Sequence, residues 1–174
     1  INGSSGGVGH FAVQIAKAYG AKVTGVCSAN NIDFVKSLGA DHVIAYDMEN
    51  IHQHTGKYDL VIDTNGNLFH ADFTRMGKRG VMVGFTSMGH MMLQLAKGAF
   101  SKFPLAQFTA EANMKDLDTL ASMIEKGSMK VHIERTYPYE KIPDAIRYIE
   151  SMRTKGKVAM IWEMMDYSQG DTKE

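Results

Sequence analysis

Short apolar runs alternate along the chain with stretches in which apolar residues recur every three or four positions. Residues 22–27 (KVTGVC), 42–46 (HVIAY), 58–63 (YDLVID) and 81–85 (VMVGF) are short and rich in valine and isoleucine, and predict buried strands. Residues 105–110 (LAQFTA), uncharged and free of proline, predict an unprotected edge strand, and residues 158–162 a C-terminal one. Between them, Val8, Ala12, Ile15, Ala16 and Tyr19 share one helical face that Gly20 stops. Ile32, Val35 and Leu38 form a second stripe before Gly39. Leu117, Leu120, Ala121 and Ile124 form a third before Gly127. Ile142, Ala145, Ile146 and Ile149 form a fourth, opened by Pro143 and Asp144. Strands alternating with helices predict an α/β fold, a doubly wound parallel sheet with helices on both faces. In that topology the first strand is central and ~5–6 residues long. Only Ile1 and Asn2 precede the first glycine, so that strand is expected to be truncated.

Composition narrows the function. The chain has 174 residues, 44 % of them hydrophobic, enough for one cored domain or one domain plus a fragment. Nineteen basic and nineteen acidic side chains give zero net charge, which argues against a nucleic-acid partner. No apolar run approaches the ~18 residues that a membrane span requires. A single cysteine, Cys27, excludes an internal disulfide and a multi-cysteine zinc site. The first residues show no basic leader followed by an apolar stretch, so a reduced, cytoplasmic location is expected.

The chemistry starts in the first nine residues, INGSSGGVG, where a strand stub runs through a glycine cluster into the first helix. A nucleotide pyrophosphate needs this arrangement, because glycine lets the backbone approach the phosphates and the helix's first N–H groups point at the anion. Gly6, Gly7 and Val8 are expected at the phosphates, with Ser4 and Ser5 as added hydroxyl donors. Gly3 makes the strand exit, and Gly9 allows close helix–sheet packing. An NAD site places an acid at the end of the second strand, about 20 residues past the glycines, to hold the ribose 2′-OH. That place is held here by Cys27, with no acid before Asp33. Ser28 and Asn30 offer uncharged donors to a 2′-phosphate, so NADP is expected in preference to NAD, although no Arg or Lys occupies positions 28–31. Cys27 has no adjacent base or cation and reads as a buried strand residue. Asp63 reads as a loop cap, and His52-x-His54 as a solvated loop rather than a metal site.

Counted as Gly3-x-x-Gly6-x-x-Gly9, the loop resembles the medium-chain dehydrogenase/reductases, in their quinone oxidoreductase-like branch. Counted as Gly3-x-x-x-Gly7-x-Gly9, it resembles the short-chain dehydrogenases, whose Tyr-x-x-x-Lys is matched by Tyr137 and Lys141. That pair should lie on one long helix, which Pro138 and Pro143 disfavour. The gap between Asp63 and Val81 is also too short for the long helix that family places there. The medium-chain resemblance instead runs along nearly the whole chain: NGSSGGVGHFAVQIAKAYGAKVTGVCSANN, SLGADHVIAY, KYDLVIDTNGN, GKRGVMVGFTS, and YPYEKIPDAIRYIES followed by GKVAMIW. The stretch 88–114 departs most.

This resemblance implies a Rossmann NAD(P)-binding domain over residues 1–135, with the helix and strand in 136–174 packing partly against a substrate domain that precedes the cofactor domain in the family. It implies Tyr46 beside the 2′-phosphate, and Asn65, Gly84, Phe85 and Thr86 along the nicotinamide. It implies an oxidoreductase moving a hydride from NADPH to a quinone or other conjugated carbonyl, no zinc, and a homodimer joined at the sheet edge. The sequence shows no catalytic constellation. A non-catalytic nucleotide-binding module, redox-sensing or structural, is the alternative, as is a short-chain dehydrogenase.

Overall fold

The computed structural model describes residues 1–84 and 87–162. Among them β1 (Thr24–Cys27), β2 (His42–Ala45), β3 (Val61–Asp63), β4 (Gly80–Met82) and β5 (Leu105–Gln107) are short parallel strands. β1 pairs with β2, and β4 lies between β3 and β5. The two groups meet at Asn2, which bridges Val26 of β1 and Asp63 of β3 in parallel. The sheet order is therefore β2-β1-Asn2-β3-β4-β5, with the chain's first residues at its centre.

Parallel neighbours cannot be joined by a tight turn, so helices make the crossings. α1 (Gly9–Ala18) leads to β1, α2 (Ile32–Ser37) to β2, α3 (His70–Met76) to β4 and α4 (Met88–Ala99) to β5. Side chains alternate across the strands, and the core divides accordingly. Val23, Cys27 and Val43 pack with Val13 of α1 and Val35 of α2. Val26, Ile44, Val61 and Met82 pack on the other face with Phe73 and Met76 of α3. Helices thus cover both faces, as the alternation predicts.

α1 departs from its predicted stripe. Its buried residues are Gly9, His10, Val13 and Gln14. Val8 and Tyr19 are exposed. Two contacts fix this rotation. Gly9 must face the glycine loop, where no side chain fits, and the Gln14 amide both donates to the Lys130 carbonyl (3.0 Å) and accepts from the Lys130 N–H (2.8 Å). A count of apolar positions sees neither constraint.

After α5 (Met114–Glu125), β6 (Ile133–Pro138) and β7 (Lys157–Ile161) form a separate parallel pair joined through α6 (Ile142–Glu150). β6 runs through the division expected at 135/136. On α6 only Ala145 is buried, and Ile142, Ile146 and Ile149 face outward. The pair is tied to the glycine loop by Gly156 N–H donating to the Ser5 carbonyl (2.9 Å), and the His132 ring packs on Phe34. No helix among the described residues is long and apolar enough to cross a membrane.

The connection from β2 to β3 is clipped to α3. His52 Nδ1 lies 2.7 Å from Asp72 Oδ2, and Arg75 donates to Asp72 Oδ1 at 2.6 Å. His54 meets Glu49 and Tyr58 instead, so the two histidines serve separate partners and do not converge.

Two outcomes follow from this packing. Phe73 is fully buried, so Phe73→Ala should lower stability by about 3–5 kcal/mol in urea unfolding. Burial alone would raise the Asp72 carboxyl, but hydrogen bonds from Phe69 N–H, Arg75 and His52 outweigh it and hold it below the usual range. A depressed folded-state value means stability that is present above the unfolded value of about 4 and is lost as pH falls through the folded one. Wild-type urea midpoints should therefore drop more steeply below pH 4 than those of Asp72→Asn, and parallel curves would contradict the assignment.

Candidate functional site

Strand order reverses at Asn2, and in open α/β sheets that reversal leaves a crevice beyond the strands' carboxyl ends. A cavity of about 540 Å3 lies there. Gly3, Ser5 and Gly6 line it from the glycine loop, Cys27, Ser28, Asn30 and Asn31 from the segment after β1, and Tyr46 and Asn65 from the ends of β2 and β3. Residues 152–155, between α6 and β7, complete the lining. Among the described residues no carboxylate lines it, whereas Arg153 and Lys155 do.

The glycine loop is shaped for an anion. Gly3 is left-handed (φ 78°), and its carbonyl accepts from Gly6 N–H at 3.0 Å, closing the turn. A Cβ on Gly9 would overlap that same carbonyl, so the helix can begin this close only with glycine there. No side chain caps α1, and the N–H groups of Gly7 and Val8 have no acceptor among the described residues. Orphan donors at a helix start, added to the helix dipole, form an anion site. Lys157 Nζ stands over Gly7, 3.3 Å from where a side chain there would begin.

Ser5 Oγ accepts from Asn31 Nδ2 at 3.1 Å, which leaves its own hydroxyl proton free to donate. Ser4 has a different place from the one expected. It is fully buried, and both its N–H and its hydroxyl donate to the Val26 carbonyl, so it fastens the loop to β1. Tyr46 stands half-exposed at the cavity rim. Asp47 accepts from Ala29 N–H at 2.8 Å and lines a neighbouring cleft. Burial pushes the Cys27 thiol up to about 11, which leaves it inert.

Asp63 is a loop cap. It is fully buried and accepts from Asn2 Nδ2 (2.7 Å) and from the N–H groups of Asn65 (3.0 Å), Gly66 (3.0 Å) and Leu68 (2.9 Å). Its carboxylate therefore shapes the loop that brings Asn65 to the cavity. Gly84 lies against the Thr64 carbonyl and not in the cavity lining. Phe85 and Thr86 lie outside the described residues.

Four residues here escape the sequence reading. Asn31 is one position beyond the expected donors. Arg153 and Lys155 arrive from the far end of the chain. His10 is fully buried beneath the loop, and its Nδ1–H donates to the Gly6 carbonyl at 3.0 Å. Burial drives its imidazole down against that bond, helped by the charges of Lys157 and His132, so it stays neutral under the loop.

The family model of the zinc-binding dehydrogenases matches residues 38–160. The chain belongs to this family. Within it, the chain resembles the quinone oxidoreductase-like branch of the medium-chain dehydrogenase/reductases. A chloroplast envelope quinone oxidoreductase homolog of Arabidopsis thaliana is 34 % identical over 152 residues, 83 % of this chain and 46 % of that one. The quinone oxidoreductase of Coxiella burnetii superposes with TM-score 0.78 at 24 % identity, over 94 % of this chain and 51 % of that one. That of Escherichia coli, solved with NADPH, gives 0.71 at 25 % identity, over 92 % and 55 %. The chain spans about half the length of the curated relatives it matches.

The zinc of the family's name does not fit these residues, since no three His, Cys, Asp or Glu side chains among those described could hold a metal ion. The short-chain pair is separated as well. Tyr137 lies in β6 and Lys141 in the turn before α6, not on one helix. A nicotinamide dinucleotide does fit. The glycine loop gives an anion cradle, and a buried Thr154 hydroxyl without a partner lies in the cavity lining.

Asp63→Ala would leave buried donors without an acceptor at about 1–3 kcal/mol each, so a total loss of about 2–4 kcal/mol is expected after relaxation. Urea denaturation checks it, and a loss below about 0.5 kcal/mol, the size of an ordinary surface substitution, would contradict the cap.

Proposed function

We propose that this chain is the cofactor-binding part of an NADPH-dependent oxidoreductase that moves a hydride to a quinone or other conjugated carbonyl. One observation carries the reading: the cavity at the strand-order reversal joins an uncapped glycine loop to two cations, with no carboxylate in its lining among the described residues. The pyrophosphate lies beside Gly6 and against the free N–H groups of Gly7 and Val8, with Lys157 above it. The 2′-phosphate meets Ser28, Asn30 and Tyr46 from one direction and Arg153 and Lys155 from another. An NAD site would place an acid where Cys27 stands. The names of the relatives and the NADPH held by the Escherichia coli neighbour support this assignment.

The bound nicotinamide supplies the hydride, and the protein orients it and excludes water. Asn65 lies toward the nicotinamide end, on the loop that Asp63 shapes, and Gly84 follows the neighbouring strand β4. The acceptor's other wall is a substrate domain of the whole protein, which packs on the outward faces of Ile142, Ile146 and Ile149. Residues 1–135 form the cofactor domain and 136–174 the part shared with that second domain. The β5 edge, with Phe108 exposed beside it, joins two copies into a homodimer.

Calorimetric titration with both dinucleotides is the test. NADPH should bind at least tenfold more tightly than NADH, and Arg153→Ala should remove most of that preference. Tyr46→Phe should weaken NADPH by about 0.5–1.5 kcal/mol, one hydrogen bond, and leave NADH alone. Equal affinities in the wild type would overturn the reading.

A further inference from the structure

The loop bearing Arg153 and Lys155 has little to hold it. It begins at Met152, which is left-handed (φ 57°) and the sole such non-glycine among the described residues, and it ends at left-handed Gly156 (φ 65°). A side chain in that region costs about 1–2 kcal/mol, so the surrounding structure must impose it. Among the described residues neither Arg153 nor Lys155 forms an ion pair. One side chain from outside the loop grips its middle. Glu134 Oε2, on β6, accepts from Lys155 N–H at 2.8 Å and from the Tyr148 hydroxyl of α6 at 2.9 Å. The Arg135 guanidinium lies over the Tyr148 ring, 4.1 Å from its centre, and fixes the ring that presents this hydroxyl. Glu134 is not in the cavity lining.

We propose that Glu134 and Tyr148 form a latch that holds residues 152–155 against the cofactor cavity, which makes Glu134 a positioning residue for dinucleotide selection. The selection half of this inference rests on the NADPH reading above; the latch itself does not. Both dinucleotides share the glycine loop, so a loosened loop withdraws Arg153 and Lys155 chiefly from the ligand that has the additional phosphate. One oxygen of Glu134 receives both bonds, so the amide oxygen of a glutamine can receive them too.

The test uses the full chain as Glu134→Ala, Glu134→Gln and Tyr148→Phe, with two readouts. The first is the Kd for NADPH and for NADH by calorimetry. The second is the rate of trypsin cleavage after Arg153 and Lys155 in the ligand-free protein, located by mass spectrometry. Glu134→Ala should raise the NADPH Kd about tenfold, the loss of one to two hydrogen bonds' worth of ordering, and change that for NADH less than twofold. It should also speed cleavage at both sites. Glu134→Gln should restore both readouts, and Tyr148→Phe should fall between. Equal weakening of both dinucleotides overturns the selection role, and wild-type cleavage in Glu134→Ala overturns the latch. Wild-type protein without an NADPH preference would sink the cofactor reading instead. Cleavage then decides the latch, faster in Glu134→Ala for it and unchanged against it.

Discussion

Asn2 is bonded on every side. Its N–H donates to the Ile62 carbonyl (2.8 Å), its carbonyl accepts from Thr64 N–H (3.1 Å), and its side-chain amide donates to both Asp63 and Asn67 at 2.7 Å. On the other flank Val26 N–H donates to the Ile1 carbonyl, and the N–H groups of Gly3 and Ser4 return to the Val26 carbonyl. These bonds join two groups of strands that otherwise share no ladder. Buried backbone groups left unpaired are costly, so the sheet closes only when this segment occupies its centre. The same segment sets the point of strand-order reversal and aims the glycine loop. Asp63, which receives the Asn2 amide, caps the loop across the crevice, so one residue pair organises both walls of the cavity.

The charges around the cavity are arranged with equal economy. Two titratable side chains beside the loop are neutral for opposite reasons: burial drives the His10 imidazole down and the Cys27 thiol up. Asp47 is turned to a backbone amide. What remains is backbone N–H groups, hydroxyls and amides, with Arg153, Lys155 and Lys157 on the segment that enters β7. Such a set of donors is suited to a polyanion. This accords with the hydride transfer proposed above, in which the reacting atoms belong to the cofactor and the acceptor.

Much of this was legible in the sequence, and for local reasons. Strand and helix alternation, the glycine spacing and the missing acid at position 27 are properties of neighbours along the chain. So is the conflict between Pro138, Pro143 and a helical Tyr-x-x-x-Lys pair. What escaped was long-range. The absence of a cation at 28–31 argues against a phosphate site when that segment is read alone, but the loop between α6 and β7 brings Arg153 and Lys155 to the cavity from the opposite end of the chain. The face of α1 is not legible from its apolar stripe, because Gly9 and Gln14 decide its rotation. Ser4 looked like a phosphate donor because of its place between glycines, and the turn back onto β1 consumes both its donors. His52 and His54 are close in sequence yet are drawn to different carboxylates.

The central claim is that the dinucleotide lies across the reversal at Asn2, with its phosphates on the glycine loop. A crystal structure of the protein grown with NADPH tests it most directly. The account predicts the pyrophosphate beside Gly6, at the N–H groups of Gly7 and Val8, and the 2′-phosphate between Tyr46 and Arg153. Density for the dinucleotide elsewhere on the protein, or a 2′-phosphate in open solvent away from Arg153 and Lys155, would contradict it.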